Sequence, residues 1–174
     1  MNDLKRHTII GIFFVLSVGS LAHFLYDWSG NNPIVGLFTP VNESVWEHMK
    51  LLFFPMLLYS LAMILKFQQK YPCITSALCF GILIGTILIP IFYYAYTYLL
   101  GKNIFILDIS TFILSTVIAF LCSYRLTLSC RLESYKSLLC ILAGLLFIFF
   151  FLFTYFPPNT TIFQDPANAS FQDV

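Results

Sequence analysis

The sequence predicts an all-α membrane protein, a bundle of five transmembrane helices with its N-terminus inside and its C-terminus outside. Three observations carry that expectation. The 174 residues are 59% hydrophobic and only 10% charged, whereas an ordinary soluble domain is about 25% charged. The apolar residues gather into five runs, each long enough to cross a bilayer core at about 20 residues per helix. Lysine and arginine are divided unevenly between the connecting segments, which sets orientation. A net charge of +1 offers no basic surface for nucleic acid.

The first span is expected over residues 8–26. The apolar run after Lys5 and Arg6 continues to Tyr26 without a small-residue cleavage site, the pattern of a membrane helix rather than a signal peptide. The second, over 40–66, opens on PVNESVWEHMK. Thr39 followed by Pro40 reads as a hydroxyl N-cap with proline in the first helical position, and Pro55 is expected to kink the helix. The uninterrupted apolar run over 51–65 is 15 residues, roughly 22 Å of helix, against a hydrocarbon core of about 30 Å. Crossing therefore draws Glu47 and His48 to the outer edge of the hydrocarbon.

The third span, 73–99, holds Gly81 and Gly85 in a small-xxx-small pattern suited to close helix contact. Pro90 is expected to bend it, and Tyr93, Tyr94, Tyr96 and Tyr98 form an aromatic belt at its outer end. The fourth is placed at 103–124 and the fifth at 136–156, ended by Pro157 and Pro158. Residues 157–174 form an extracytoplasmic tail, and the whole of 1–174 reads as a single transmembrane domain. Trp28 and Trp46 read as interface anchors.

Orientation follows from the basic residues. Lys5, Arg6, Lys66, Lys70, Arg125, Arg131 and Lys136 fall on one side; Lys50 and Lys102 fall on the other. The first side is expected to be cytoplasmic. The five cysteines have no metal-binding spacing and read as buried, small hydrophobes in the inner half or the cytoplasmic loops, as a reducing compartment permits.

Polar chemistry concentrates at the opposite end. His23 and Asp27 lie four apart at the end of the first span, and Glu43/Glu47 and Ser44/His48 are four apart at the start of the second, so each pair shares a helix face. The short connection makes the two helices antiparallel neighbours. Charged groups at membrane depth are costly unless they pair or bind something. Two histidines with carboxylates form a ligand set for a divalent metal such as zinc, with His23, Asp27, Glu43 and His48 as candidate ligands. Asp108, near the outer end of the fourth span, is placed to join from the opposite wall, and Asp165 is brought in if the tail folds back as a lid. In a catalytic reading, Glu47 is the general base of a metal-assisted hydrolysis and Ser44 orients the substrate. Two other readings stand beside it. The group is a structural plug, with Glu47 bonded to Lys50 and His23 to Asp27, or the carboxylates form a proton or cation path. Expected partners are the lipid bilayer, a lipid or small polar ligand, and a second copy or another membrane protein; a non-enzymatic assembly role is a further alternative.

The run HFLYDWSGNNPIVGLFTPVNESVWEHMKLLFFP (residues 23–55), with the later FPPNTTIFQDP (156–166), resembles an uncharacterised family of small integral membrane proteins of clostridia and related Gram-positive bacteria. The resemblance implies a multi-pass protein of the bacterial plasma membrane and no known activity. Ser44-x-x-x-His48 is also faintly similar to the alkaline ceramidase and adiponectin-receptor superfamily of seven-span zinc hydrolases. That pattern needs a late His-x-x-x-His, and here no histidine follows His48.

Overall fold

The computed structural model describes residues 3–165; the remainder of the tail lies outside the described residues. The chain forms α1 (Asp3–Trp28), the single-turn α2 (Pro33–Gly36), α3 (Val45–Phe67), α4 (Ile74–Leu100), α5 (Phe105–Ser129) and α6 (Lys136–Tyr155). Short 3-10 turns occupy Glu133–Tyr135 and Thr161–Phe163. Five of these helices are long and apolar enough to cross a membrane. No strand occurs among the described residues. Large apolar side chains such as Phe13, Leu58, Leu65 and Ile148 remain exposed on the bundle surface, as expected where the solvent is lipid.

α3 and α4 are the most enclosed helices, and Phe53, Met56, Ile74, Leu78, Ile82, Phe120 and Phe150 form the core between them and their neighbours. The glycines of α4 act as expected. A Cβ at Gly81 would overlap the Ser123 side chain, and one at Gly85 would lie 2.7 Å from the Cβ of Ala119. The small residues of α4 thus meet Ala119 and Ser123 of α5, and bare backbone permits the approach. Several hydroxyls within the helices bond back to their own backbone, as in Thr86 to Ile82 O (2.7 Å) and Thr127 to Ser123 O (2.8 Å), which satisfies them without solvent; those of Ser60, Thr75 and Ser115 are buried without a partner among the described residues.

Three sequence expectations change. The helix expected to begin at Pro40 begins at Val45, with Ser44 as its N-cap. Thr39 instead bonds the Val35 carbonyl at 2.9 Å and closes α2, whose own N-cap is Asn32. The hydroxyl-proline signal was real turn chemistry but belonged to the loop. Trp46 is not an interface anchor: it is buried between Phe150, Phe153 and Phe163, because the returning 3-10 turn covers it. Trp28 remains exposed.

The third change concerns sulfur. Cys73 and Cys130 form a disulfide across 57 residues. The antiparallel packing of α4 and α5 brings the start of one to the end of the other, with Cα atoms 5.3 Å apart, inside the range a disulfide needs. Cys79, Cys122 and Cys140 are free. The disulfide lies at the basic end of the bundle, which the charge bias assigns to the cytoplasm, whereas persistent disulfides belong to oxidising compartments. The two signals oppose each other at that end.

Candidate functional site

The polar stretch at the head of α3 separates into two groups facing different ways. Val45 to Phe67 is one continuous helix, and 100° per residue directs Glu47 and Lys50 toward α6 while His48 turns toward α1, α4 and α5.

The first group is enclosed. Lys50 is fully buried, and its ammonium donates to Glu47 Oε2 (2.7 Å), Thr154 Oγ1 (2.6 Å) and the carbonyl oxygen of Gly36 (2.9 Å). Glu47 Oε2 also accepts the Val41 N–H at 3.0 Å. This ion pair, with its surrounding hydrogen bonds, joins α3, α6 and the α2–α3 connection. Such pairing is what a charge at this depth requires. Neither Glu47 nor Lys50 lines the cavity described next.

The second group opens onto a cavity of about 630 Å³ bounded by α1, α3, α4 and α5, a size suited to a small ligand. His23, Glu43 and His48 stand together there, with one ligating atom from each within 4.8 Å of the others. His48 Nε2 is 3.3 Å and His23 Nε2 3.7 Å from Glu43 Oε2, and the two rings meet edge to face at 5.2 Å. His48 Nδ1 lies 2.9 Å from the Ser44 carbonyl oxygen. A carbonyl only accepts, so Nδ1 carries the proton and Nε2 is turned to the carboxylate. In the neutral ring, Nε2 then points a lone pair at an acceptor. A proton on Nε2 or a cation between the groups resolves that opposition. With a proton also on Nε2, the hydrogen bond from His48 holds the Glu43 carboxyl below its ordinary range, against the opposing effect of partial burial.

Each remaining candidate has a definite place. Ser44 is a buried N-cap whose Oγ accepts the Glu47 N–H at 3.4 Å, and its carbonyl fixes His48. Asp27, one turn beyond His23 on α1, is not part of the cavity lining. Asp108, in the first turn of α5, lines the cavity and accepts a hydrogen bond from Tyr96. Asp165 returns to the α2–α3 connection, where its carboxylate accepts the Glu43 N–H at 3.5 Å. Tyr93 and Asn103 also line the cavity. Neither was singled out as a site residue from sequence; the tyrosine cluster at the end of α4 was the available signal, read only as an aromatic belt.

A family model described as a family of unknown function (DUF6512) matches residues 1–172. The chain belongs to this family. No curated protein and no solved structure matches it. The member described here brings five membrane-length helices and a His/Glu group that offers three ligating atoms. The family assigns neither of them an activity.

Proposed function

We propose that this DUF6512 member is a multi-pass membrane protein of the bacterial plasma membrane that binds a divalent metal, zinc above all, in a pocket open to the outer face. His23, Glu43 and His48 are the ligands. Two histidines and one glutamate are a ligand set of catalytic zinc sites, which leave a fourth position for water or substrate. The observation that carries the reading is the hydrogen bond from His48 Nδ1 to the Ser44 carbonyl. Fixing one ring nitrogen on a carbonyl is how proteins orient a ligating histidine, and here the other nitrogen turns toward Glu43.

The chemistry this set supports is metal-assisted hydrolysis, and the apolar side chains that line the same cavity favour a lipid substrate. Asp108 faces the same cavity. Glu47, expected as the base, is committed to Lys50, Val41 and Thr154, so its role in this scheme is structural. Ser44 acts through its carbonyl and its cap.

Elemental analysis of the detergent-purified protein tests the proposal, beside His23→Ala, His48→Ala and Glu47→Gln. Near-stoichiometric zinc lost in both histidine variants and retained in folded Glu47→Gln supports it. Metal-free wild-type protein that stays metal-free after zinc addition sinks it, and proton-flux assays in liposomes would then examine a carboxylate relay.

A further inference from the structure

The cavity has a second polar wall that the metal ligands do not use. Asp108, Asn103 and Tyr93 line it from α5 and from the end of α4 and its following turn. These groups are joined to one another. The Tyr96 hydroxyl donates to the Asp108 carboxylate and its oxygen lies 3.0 Å from Asn103 Oδ1, while Asn103 Nδ2 is 3.5 Å from the Tyr93 hydroxyl. Much of the remaining lining is apolar: Phe24, Leu51, Ile89, Phe105, Ile109 and Phe112. Among the described residues, no lysine or arginine lines the cavity.

Charge then distinguishes the walls. A divalent ion on two neutral histidines and one carboxylate leaves that side with a net charge of about +1, which favours an anionic ligand group. The α5 side presents the Asp108 carboxylate beside aromatic rings, the chemistry that receives an ammonium group. A purely anionic ligand is drawn to the metal side but meets repulsion at Asp108. A purely cationic one meets repulsion at the metal.

We infer that the pocket takes a zwitterionic aminophospholipid headgroup of the phosphoethanolamine class, phosphate toward His23, Glu43 and His48 and ammonium on Asp108, with acyl chain against the apolar lining. The phosphate half rests on the metal reading above; the ammonium half rests on Asp108, Asn103 and Tyr93. A primary ammonium fits better than a quaternary one, because the Asp108 and Asn103 oxygens accept N–H bonds that a methylated head lacks.

The test is native mass spectrometry of the full chain in detergent, titrated separately with phosphatidylethanolamine, phosphatidylglycerol and soluble glycerophosphoethanolamine. Metal content is measured on the same samples. Preferential binding of phosphatidylethanolamine is expected, falling about tenfold in Asp108→Asn, the scale of one charged hydrogen bond. Asp108→Asn should keep its metal, which shows that the site is intact. Equal binding of the two lipids, or an unchanged preference in a folded Asp108→Asn, overturns the inference even when metal is present. Loss of metal from wild-type with the lipid preference kept overturns the metal reading and leaves the ammonium assignment standing. Binding of the soluble compound as tight as that of phosphatidylethanolamine overturns the lipid assignment in favour of a soluble zwitterion.

Discussion

The carbonyl oxygen of Leu51 lies against the Cα of Gly19: a Cβ added at Gly19 would overlap it. Two sequence features create this contact. Pro55 has no N–H, so the Leu51 carbonyl lacks its normal partner one turn on, and glycine lets α1 come close enough to cover it. His23 follows Gly19 by one turn of the same helix and His48 precedes Leu51 on the other, so this crossing sets how the two imidazoles meet.

Gly19→Ala should therefore push α1 away from α3. A backbone oxygen cannot rotate aside as a side chain does, and overpacking of this kind costs about 1–3 kcal/mol. The expected outcome is a lower thermal midpoint in detergent together with weaker metal binding, although residue 19 touches no ligand. Gly144→Ala, where added volume meets open space, is the control.

Lys50→Met should destabilise strongly. It leaves the Glu47 carboxylate buried beside Thr154 and the Val41 N–H without its cation, a loss of about 3–5 kcal/mol. The double variant Lys50→Met with Glu47→Gln should recover part of that loss in a denaturation series. A single Lys50→Met variant as stable as wild type would remove the ion pair from the account of the fold.

Ser44→Ala separates capping from catalysis. Loss of the side-chain cap costs about 1 kcal/mol, whereas the carbonyl that fixes His48 remains. Metal content should stay near the wild-type level, with a modestly lower melting temperature. A folded Ser44→Ala variant that keeps its metal yet loses turnover would return the hydroxyl to the reaction.

Cys79 and Cys140 hold their Sγ atoms 2.7 Å apart, joining α4 to α6. Mild oxidation of membranes with an added small disulfide should join them. Alkylation followed by intact mass should then show two fewer reactive thiols, while Cys122 still reacts. Failure to cross-link would mean that α6 does not pack on α4 in this register.

Sidedness has its own test, since the charge bias and the Cys73–Cys130 disulfide oppose each other. In intact cells a membrane-impermeant maleimide should label Lys102→Cys and leave Lys70→Cys unlabelled, both made in a background lacking the free cysteines. The reverse pattern would put the pocket on the cytoplasmic side.

Much of the fold is written in composition and periodicity. Five apolar runs at 10% overall charge leave little but a helical bundle, because in lipid each span must satisfy its own backbone. The approach of His23 to His48 was legible from their places at facing ends of two consecutive antiparallel spans. The partition of the polar stretch was not. Glu43 and Glu47 share a helix stripe only if the helix includes both, and ending it at Ser44 turns them apart. Where that end falls depends on α2 and on the Val41 N–H reaching Glu47, contacts that exist only once α2, α3 and α6 are assembled.

The sequence by itself determined a multi-span chain with most of its acidic groups and two of its three imidazoles at one end, because hydrophobic length and charge placement are local properties. The tertiary structure alone decided which carboxylate meets which partner. Thr154 of α6 lies more than a hundred residues from Lys50 along the chain yet is 2.6 Å from it in space. Burial beside that hydroxyl draws Lys50 and Glu47 inward and leaves Glu43 to the histidines. The site follows from helix packing, which no single segment encodes.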